Sequence, residues 1–329
     1  MTGWGGDLWT AADLVTPMAI RVAATLRLAD RIATGTRTSE ALAAETEVDP
    51  DALRRVLDHL VTAGVLTRSD GYGLTAMGEE LRDAEGIRAW LDLEGAIGRA
   101  DLCFTELLHT VRTGEPAFER RFGRPYWEDL SADSALSASF DALMGARLVA
   151  DAPEVAAAYP WDTLGHVVDV GGGDGSLLIA ILRAHPGLRG TVFDLAGPAS
   201  RAEQAINSAG LGDRAGAQAG SFFDALPTGA GGYVLSGVLH DWDDEHAARI
   251  LGRCAETSGT TLVVDHFGAA RNTEGDLRML CYVQGRERTL DQLSALAGTV
   301  GLQLGDVVPA GSRSIVEFSG PSRRPAARG

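Results

Sequence analysis

Apolar residues in the first third of the chain recur every three to four positions, a spacing that predicts amphipathic helices. The first helical stretch runs to a break at Gly35 and carries on one face Leu14, Met18, Val22 and Leu26. A short helix follows over 39–44. Asp49 before Pro50 then predicts a capped helix start with proline at its first position. The apolar face of that helix consists of Leu53, Val56, Leu57, Leu60 and Val61.

Two short apolar runs, 65–67 and 72–75, flank a turn at 69–71 and predict a β-hairpin. Helices followed by a hairpin are the order of a winged helix. We therefore expect residues 1–95 to form a mainly helical winged-helix domain.

From about residue 165 onward, β-branched runs alternate with helical patterns. The predicted strands are 166–170, 190–194, 215–219, 232–236, 260–265 and 313–318. This alternation predicts an α/β fold with a doubly wound, mostly parallel sheet, whose ligands bind at the carboxyl ends of the strands. We assign this domain to residues 161–320, and a helical segment that encloses a substrate to residues 96–160.

A glycine-rich turn interrupts the apolar runs at the start of the α/β domain. The run 167–170 ends in Gly171, Gly172 and Gly173, and a helical pattern restarts at 177–182. Glycines let a ligand lie against the backbone and the helix N-terminus. The next strand ends in Asp194, where nucleotide-binding sheets place the carboxylate that holds a ribose diol. The pattern predicts an adenosine-containing cofactor.

The spacing of the glycines bears on which cofactor binds. Ser176 stands where a G-x-G-x-x-G dinucleotide fingerprint has its last glycine. The run V-D-V-G-G-G-x-G instead resembles motif I of the class I S-adenosylmethionine-dependent methyltransferases. A NAD enzyme and a turn without a ligand remain alternatives at this point.

A histidine and an acid follow predicted strands, and a second acid precedes a predicted helix. His240 follows the run 232–239, Asp265 ends the run 262–264, and Glu287 comes just before a helical pattern. Singly, they can be explained as a structural histidine, a helix cap and a surface ion-pair partner. Together they fit a general base oriented by a carboxylate.

Charge narrows the class of partner. The 329 residues carry a net charge of −16, which disfavours nucleic acid and anionic membranes. Residues 1–95 hold 9 Arg against 16 Asp and Glu. A DNA-binding winged helix needs a basic surface, so we expect this domain to serve dimerisation. No Lys occurs in the chain, which excludes Schiff-base chemistry.

The cysteines and the hydropathy of the chain indicate where in the cell the protein is located. Cys103, Cys254 and Cys281 lie far apart without metal-ligand spacing, so we predict no metal site. No apolar run approaches the roughly 20 residues of a membrane span, and no signal peptide is recognisable. We expect a cytoplasmic protein without a membrane partner, and a disordered tail over 321–329.

Along nearly its whole length the chain resembles the bacterial and plant small-molecule O-methyltransferases that carry an N-terminal winged-helix dimerisation domain. The matching segments are 28–30, 57–60, 64–66, 114–118, 122–123, 168–173, 193–195, 239–242, 276–280 and 285–289. The likeness extends to actinobacterial enzymes that methylate aromatic polyketides, including hydroxy-naphthoic acids, in antibiotic pathways. It implies S-adenosylmethionine as cofactor, a homodimer and a small phenolic substrate.

The resemblance also implies cofactor contacts. They fall on Gly171, Gly172, Gly173, Asp194, Leu195, Ser221, Phe222, Ser236 and Trp242. Ser221 departs from the family, in which an acid usually stands beside the adenine. Ser236 stands where some relatives have Lys or Arg.

For the acceptor side, the resemblance matches His240 to the catalytic base, with Asp265 and Glu287 as its acids. Asp265 stands where Glu is common, so its side chain is one methylene shorter. The acceptor wall falls on Phe140, Met144, Met279 and Tyr282. Some members of this family keep the cofactor pocket but carry out hydroxylation, decarboxylation or pericyclic chemistry, and the intact His240 and Glu287 favour methyl transfer.

Overall fold

The computed structural model describes residues 6–83, 86–267 and 272–320. The chain divides into two compact units, residues 1–102 and residues 103–329. The predicted disordered tail, 321–329, lies outside the described residues. Within the described ranges, none of the helices has the length and apolar character of a membrane span.

The first unit is mainly helical. Its helices are α1 (Asp7–Ala12), α2 (Val15–Thr25), α3 (Leu28–Ala33), α4 (Ser39–Thr46), α5 (Pro50–Thr62), α6 (Ala76–Glu79), α7 (Ile87–Leu91) and α8 (Ala96–Asp101). After α5, β1 (Leu66–Arg68) pairs antiparallel with β2 (Tyr72–Leu74). The predicted winged-helix order is therefore confirmed.

Local sequence explains the ends of α5. The Asp49 carboxylate accepts the backbone N–H of Ala52 at 2.8 Å, and Pro50 takes the first helical position, where no N–H is needed. Gly64, with φ of +77°, turns the chain after the helix. The long first helix predicted up to Gly35 is wrong, because Arg27 adopts a left-handed φ of +53° and separates α2 from α3.

The arginines of α5 are paired with acids of the same unit. Arg54 contacts Asp51 at 2.7 Å and Asp58 at 3.1 Å, and Arg55 contacts Asp51 at 2.6 Å. Arg68 of the hairpin also pairs with Asp58. These cations are neutralised where a DNA-reading helix presents free charge to phosphates.

The second unit contains the sheet. Its helices are α9 (Leu107–Thr113), α10 (Ala117–Phe122), α11 (Tyr126–Ala132), α12 (Ser134–Ala158), α13 (Ser176–Ala184), α14 (Ala196–Ser208), α15 (Asp244–Ala255), α16 (Thr273–Val283) and α17 (Leu290–Thr299). Its strands are β3 (His166–Val170), β4 (Arg189–Asp194), β5 (Ala215–Ala219), β6 (Gly232–Ser236), β7 (Thr260–Asp265), β8 (Gln303–Ala310) and β9 (Arg313–Ser319). Short 3₁₀ helices cover Leu102–Glu106, Trp161–Leu164 and Leu239–Asp241.

The strand order is β5-β4-β3-β6-β7-β9-β8. The strands from β3 to β7 pair in parallel, and β9 runs antiparallel between β7 and β8. The predicted mostly parallel, doubly wound α/β sheet is confirmed. Sequence analysis missed β8, because Gly305, Asp306 and Pro309 are poor strand residues that an exposed edge strand tolerates.

Apolar clusters cover both faces of this sheet. One includes Trp161 with Leu178 and Ile181 of α13, and the other includes Tyr233 with Leu251 of α15, all of them buried. Burial on both faces leaves the carboxyl ends of β3, β4, β6 and β7 as the edge where polar side chains gather.

Candidate active site

The glycine turn after β3 brings cofactor-site candidates together. Gly171 has a φ of +72°, and a Cβ there would lie 2.9 Å from the Val238 side chain and 3.4 Å from the Phe222 ring. A side chain at this position is therefore excluded both by conformation and by packing. The Phe222 ring in turn makes an edge contact with Trp242, at 5.8 Å between ring centroids.

Asp194 ends β4 beside the same turn. Its Oδ2 accepts the Gly173 N–H at 2.8 Å, and its Oδ1 accepts the Leu195 N–H at 2.6 Å. Burial raises the pKa of this carboxyl to about 6, although the two backbone donors act against the rise. The structure thus holds the Asp194 carboxylate against the glycine turn.

Two polar side chains at neighbouring strand ends are buried without partners. Among the described residues, none lies within hydrogen-bond distance of either carboxylate oxygen of Asp169 or of the Ser236 hydroxyl. Burial, reinforced by the charges of Asp194 and Asp174, raises the pKa of Asp169 to about 7. Asp169 belongs to the glycine-rich motif of the sequence but was not predicted as a site residue. Orphaned buried groups of this kind suit a polar ligand.

Ser221 lies next to Phe222, between β5 and β6. Its hydroxyl oxygen accepts the Phe223 N–H at 3.2 Å, and this turn holds the neighbouring ring. The ring of Phe223 also contacts Trp242 edge to face, at 4.8 Å. Trp242, Phe222 and Gly171 are thus linked by packing, as the resemblance implies for one side of a cofactor pocket.

His240 lies in a short 3₁₀ turn after β6, opposite the end of β7. Its Nδ1 is 3.0 Å from Asp265 Oδ2, so the shorter acid at 265 still reaches the imidazole. Asp265 is itself fixed, because its Oδ1 accepts the His266 N–H at 2.8 Å. A ring nitrogen of His240 and one carboxylate oxygen each of Asp265 and Glu287 lie within 4.8 Å of one another. That spacing suits proton transfer between the three groups.

Sequence analysis did not select a fourth member of this cluster, Asp241. Its Oδ1 lies 3.5 Å from Nε2 of His240, on the side of the ring opposite to Asp265. Burial raises the pKa of Asp241 to about 7, against the lowering effect of His240. Its place directly after His240 in the chain was the available signal.

The acids decide the protonation of His240. Burial alone lowers the pKa of the imidazole, but the charges of Asp265, Asp241 and Glu287 outweigh it and raise that pKa to about 10. Burial tends to raise the pKa of Asp265, yet the charge and hydrogen bond of His240 bring it below its usual range. Burial raises the pKa of Glu287. The pair is therefore an imidazolium and a carboxylate at neutral pH.

Aromatic side chains form a continuous cluster next to Trp242. The indole of Trp127 stacks on Trp242 at 6.3 Å and meets Phe140 edge to face at 5.5 Å. Tyr126 contacts Phe140 at 6.2 Å and stacks on Tyr282 at 5.6 Å. Two of the predicted acceptor residues, Phe140 and Tyr282, are thus joined through Tyr126.

The remaining acceptor candidates lie on the same helices. Met144 is on α12 with Phe140, Met279 is on α16 with Tyr282, and both methionines are half-buried. Tyr126 and Trp127 were not predicted as site residues, because neighbouring aromatic residues more often mark core packing.

Comparison with known proteins identifies the two parts of the chain. Residues 104–303 match the family model of the O-methyltransferase domain, and residues 9–82 match that of the O-methyltransferase dimerisation domain. The chain is 54% identical to 2,7-dihydroxy-5-methyl-1-naphthoate 7-O-methyltransferase of Streptomyces carzinostaticus, over 94% of this chain and 96% of that one.

A solved structure and a second relative extend the comparison. The O-methyltransferase NcsB1 from neocarzinostatin biosynthesis, in complex with S-adenosyl-L-homocysteine and 1,4-dihydroxy-2-naphthoic acid, superposes with a TM-score of 0.93. The two sequences are 52% identical, and the match covers 98% of this chain and 100% of the NcsB1 chain. Aclacinomycin 10-hydroxylase RdmB of Streptomyces purpurascens is 47% identical, over 95% of this chain and 90% of that one.

These findings confirm the predicted family and its cofactor, since solved relatives hold S-adenosylmethionine or S-adenosyl-L-homocysteine. They also explain why the glycine turn lacks a dinucleotide spacing. The chain belongs to the S-adenosylmethionine-dependent O-methyltransferase family and carries that family's N-terminal dimerisation domain.

Proposed function

We propose that this protein transfers a methyl group from S-adenosylmethionine to a phenolic hydroxyl of a hydroxy-naphthoic acid or a related aromatic acid of an antibiotic pathway. The observation that carries the proposal is the His240–Asp265 pair, at 3.0 Å, in the turn whose Trp242 belongs to the aromatic cluster. The 54% identity to a naphthoate O-methyltransferase supports the acceptor class.

The cofactor-side residues fit S-adenosylmethionine. Asp194 presents two carboxylate oxygens for a ribose diol, and Gly171 leaves the backbone open to close approach. The unpartnered Asp169 and Ser236 match polar groups of the methionyl part. We assign the adenine side to Leu195, Ser221, Phe222 and Trp242. When bound, the cofactor supplies an electrophilic methyl group.

His240 acts as the general base in this proposal. Because Asp265 accepts a hydrogen bond at Nδ1, that nitrogen keeps its proton and Nε2 receives the one from the acceptor hydroxyl. A phenol has a pKa of about 10 and an unperturbed imidazole about 6.5, a mismatch that would weaken the base. The surrounding acids raise the pKa of His240 to about 10, which matches the basicity of a phenolate. Because the imidazolium predominates at neutral pH, the ring must lose its Nε2 proton before it accepts the one from the acceptor.

Holding the acceptor is the second task of the site. The half-buried Phe140 and the buried Tyr126 and Tyr282 pack as flat aromatic rings, an environment that suits a planar ring and not an aliphatic alcohol. Met144 and Met279 add adaptable apolar contacts. Alignment of the oxygen with the methyl group contributes up to about 7–11 kcal/mol to such a reaction through positioning.

Hydroxylation is the second candidate, because a 47% identical relative is named as a hydroxylase. The two reactions make different demands on the site. Methyl transfer needs a base that accepts a phenol proton, and His240 with Asp265 supplies it. The presence of this pair favours methylation.

The test is incubation of the purified protein with methyl-labelled S-adenosylmethionine and a panel of acceptors. The panel contains 2,7-dihydroxy-5-methyl-1-naphthoate, 1,4-dihydroxy-2-naphthoic acid, a simple phenol and an aliphatic alcohol. We expect label on an oxygen of the naphthoates and none on the alcohol. Incorporation of oxygen from ¹⁸O₂ without methyl label would instead assign hydroxylation.

We further propose a homodimer formed through residues 1–95, with 96–160 enclosing the acceptor and 161–320 binding the cofactor. Exposed apolar residues support the interface: Leu8, Trp9, Leu14 and Val15. Of the apolar face predicted for the first helices, Leu14 is exposed, whereas Met18, Val22 and Leu26 are half-buried. We also propose that the protein is cytoplasmic, as its three widely spaced cysteines suggest.

A further inference from the structure

The turn that carries His240 is held by one buried arginine from a distant part of the chain. Arg288 Nη1 donates to the Leu239 carbonyl at 2.6 Å, and its Nη2 donates to the Trp242 carbonyl at 2.8 Å. These carbonyls stand on either side of His240. One guanidinium therefore bridges both ends of the turn.

The same guanidinium is locked by an acid at the start of α15. Arg288 Nε and Nη2 both donate to Asp244 Oδ1, at 3.0 and 2.8 Å. Arg288 is 7% exposed, although most arginines are at the surface. A planar, always charged group with fixed donors holds such an arrangement better than a flexible ammonium.

The backbone of the arginine's own segment completes the contact with the turn. The Arg286 N–H donates to the His240 carbonyl at 2.8 Å. A Cβ on Gly285 would clash with that same carbonyl and with the Asp241 backbone. The segment 285–288 is thus shaped to lie directly against the His240 turn.

The turn has two functional ends in the proposed mechanism. His240 faces Asp265 at 3.0 Å, and the ring of Trp242 packs on Phe222 and Trp127. A shift of the turn would change the distance from the base to its acid and to the acceptor. A misplacement of 1 Å costs about 10²-fold in rate for a well-aligned reaction.

We propose that Arg288 is a positioning residue for methyl transfer: it holds the 239–242 turn so that His240 keeps its contact with Asp265 and its aim at the acceptor. This inference rests on the proposed role of His240 as base. Arg288 affects the reaction only through His240.

Arg288→Lys is the primary test, since lysine keeps the charge but cannot bridge both carbonyls and Asp244 together. We expect kcat to fall by about 10–100-fold, in line with a displaced base. The Kd for S-adenosyl-L-homocysteine, measured by calorimetry, should change less than kcat does, since Arg288 contacts neither Asp194 nor the glycine turn and reaches the adenine side only through the Trp242 backbone.

Arg214→Lys is the matched control. Arg214 also bonds three backbone carbonyls, those of Leu182, His185 and Leu188, but at the amino ends of β4 and β5, the opposite edge of the sheet. Both variants lose comparable hydrogen bonds and are expected to melt earlier. Only Arg288→Lys should lower kcat.

Two readouts separate positioning from plain destabilisation. In a His240→Ala background, Arg288→Lys should lower kcat no further, because the residue acts through the base. In histidine-labelled protein, the pKa of His240 followed by NMR should fall from about 10 as the contact with Asp265 loosens. The signal is assigned by its absence in His240→Gln.

The outcomes are distinguishable. Unchanged kcat and an unchanged His240 pKa in Arg288→Lys would overturn this inference, as would an equal further loss in the His240→Ala background. If His240→Ala is fully active, the proposed base is wrong, and the NMR titration still decides whether Arg288 holds the imidazole. Should Arg288→Lys not fold, Asp244→Asn loosens the same contact, with an expected loss of about threefold to tenfold in kcat.

Discussion

Nδ1 of His240 lies 3.0 Å from Oδ2 of Asp265, so the nitrogen left to accept a proton is Nε2. The two residues are 25 positions apart in the chain: His240 lies in the turn after β6, and Asp265 ends β7, the parallel strand next to β6. The carboxylate both fixes the tautomer of the ring and raises its pKa.

Loss of either member of the pair should lower turnover. His240→Ala should reduce kcat by about 10²–10⁴-fold, the usual contribution of a positioned base. Asp265→Asn keeps the size of the side chain but removes its charge, and should reduce kcat less than His240→Ala does. Steady-state methylation assays check this, with S-adenosyl-L-homocysteine affinity as the control for an intact cofactor site. Wild-type turnover in His240→Ala would refute the assignment.

The raised pKa of His240 predicts the pH dependence. The imidazole is protonated in the free protein below about pH 10, so kcat/KM should rise with pH across the range from 7 to 9.5. Asp265→Asn removes the charge that stabilises the imidazolium, and the inflection should then move to lower pH. A wild-type profile that is already flat above pH 7 would contradict this prediction.

Asp194 should matter for the cofactor and not for the acceptor. Asp194→Ala removes a carboxylate that the Gly173 and Leu195 N–H groups hold in place. We expect the Kd for S-adenosylmethionine to rise by about 10–100-fold, the size of lost charge-assisted hydrogen bonds. Calorimetric titration measures this, and Asp224→Ala, an exposed acid in a nearby loop, is the control. An equal effect on acceptor binding would argue against a cofactor role.

The aromatic cluster should govern acceptor affinity. Phe140→Ala removes a ring that contacts both Tyr126 and Trp127, and it should raise the acceptor KM with little change in cofactor binding. Met144→Ala should act in the same direction but more weakly. Val149→Ala, on the exposed side of the same helix, is the matched control. If Phe140→Ala and Met144→Ala both retained wild-type acceptor kinetics, the acceptor would have to bind elsewhere.

The apolar surface of the first helices predicts the oligomeric state. Light scattering at micromolar concentration should give about twice the chain mass of 34.5 kDa. Leu14 and Val15 are 67% and 63% exposed, and charged substitutions there should yield a monomer. A monodisperse wild-type monomer would refute the proposed dimer.

The fold could be predicted from the sequence where local rules act. Periodicity gave the helices of the winged helix and the strands from β3 to β7, and Asp49 with Pro50 marked a helix start. The prediction failed at Arg27, where a left-handed residue breaks an otherwise helical pattern, and at β8, whose polar and proline-containing sequence resembles a loop. In both places tertiary packing overrides local preference.

The candidate site divides in the same way. His240, Asp265 and Glu287 each follow or precede a recognisable element, so the sequence placed them at one edge of the sheet. Asp169, Asp241 and Arg288 escaped notice as site residues, because their surroundings come from other parts of the chain. A buried carboxylate without a hydrogen-bond partner, or a buried guanidinium, produces no periodic pattern in the sequence.

By itself the sequence determined the order of most elements, the glycine turn with Asp194, the family and therefore the cofactor, because these depend on local patterns and motifs along the chain. Only the tertiary structure decided that Asp265 reaches His240, that Trp127 stacks on Trp242, and that Arg288 holds the catalytic turn from 49 residues beyond Leu239. The physical reason is that contact distances, burial and the resulting pKa values are set by the packing of distant segments.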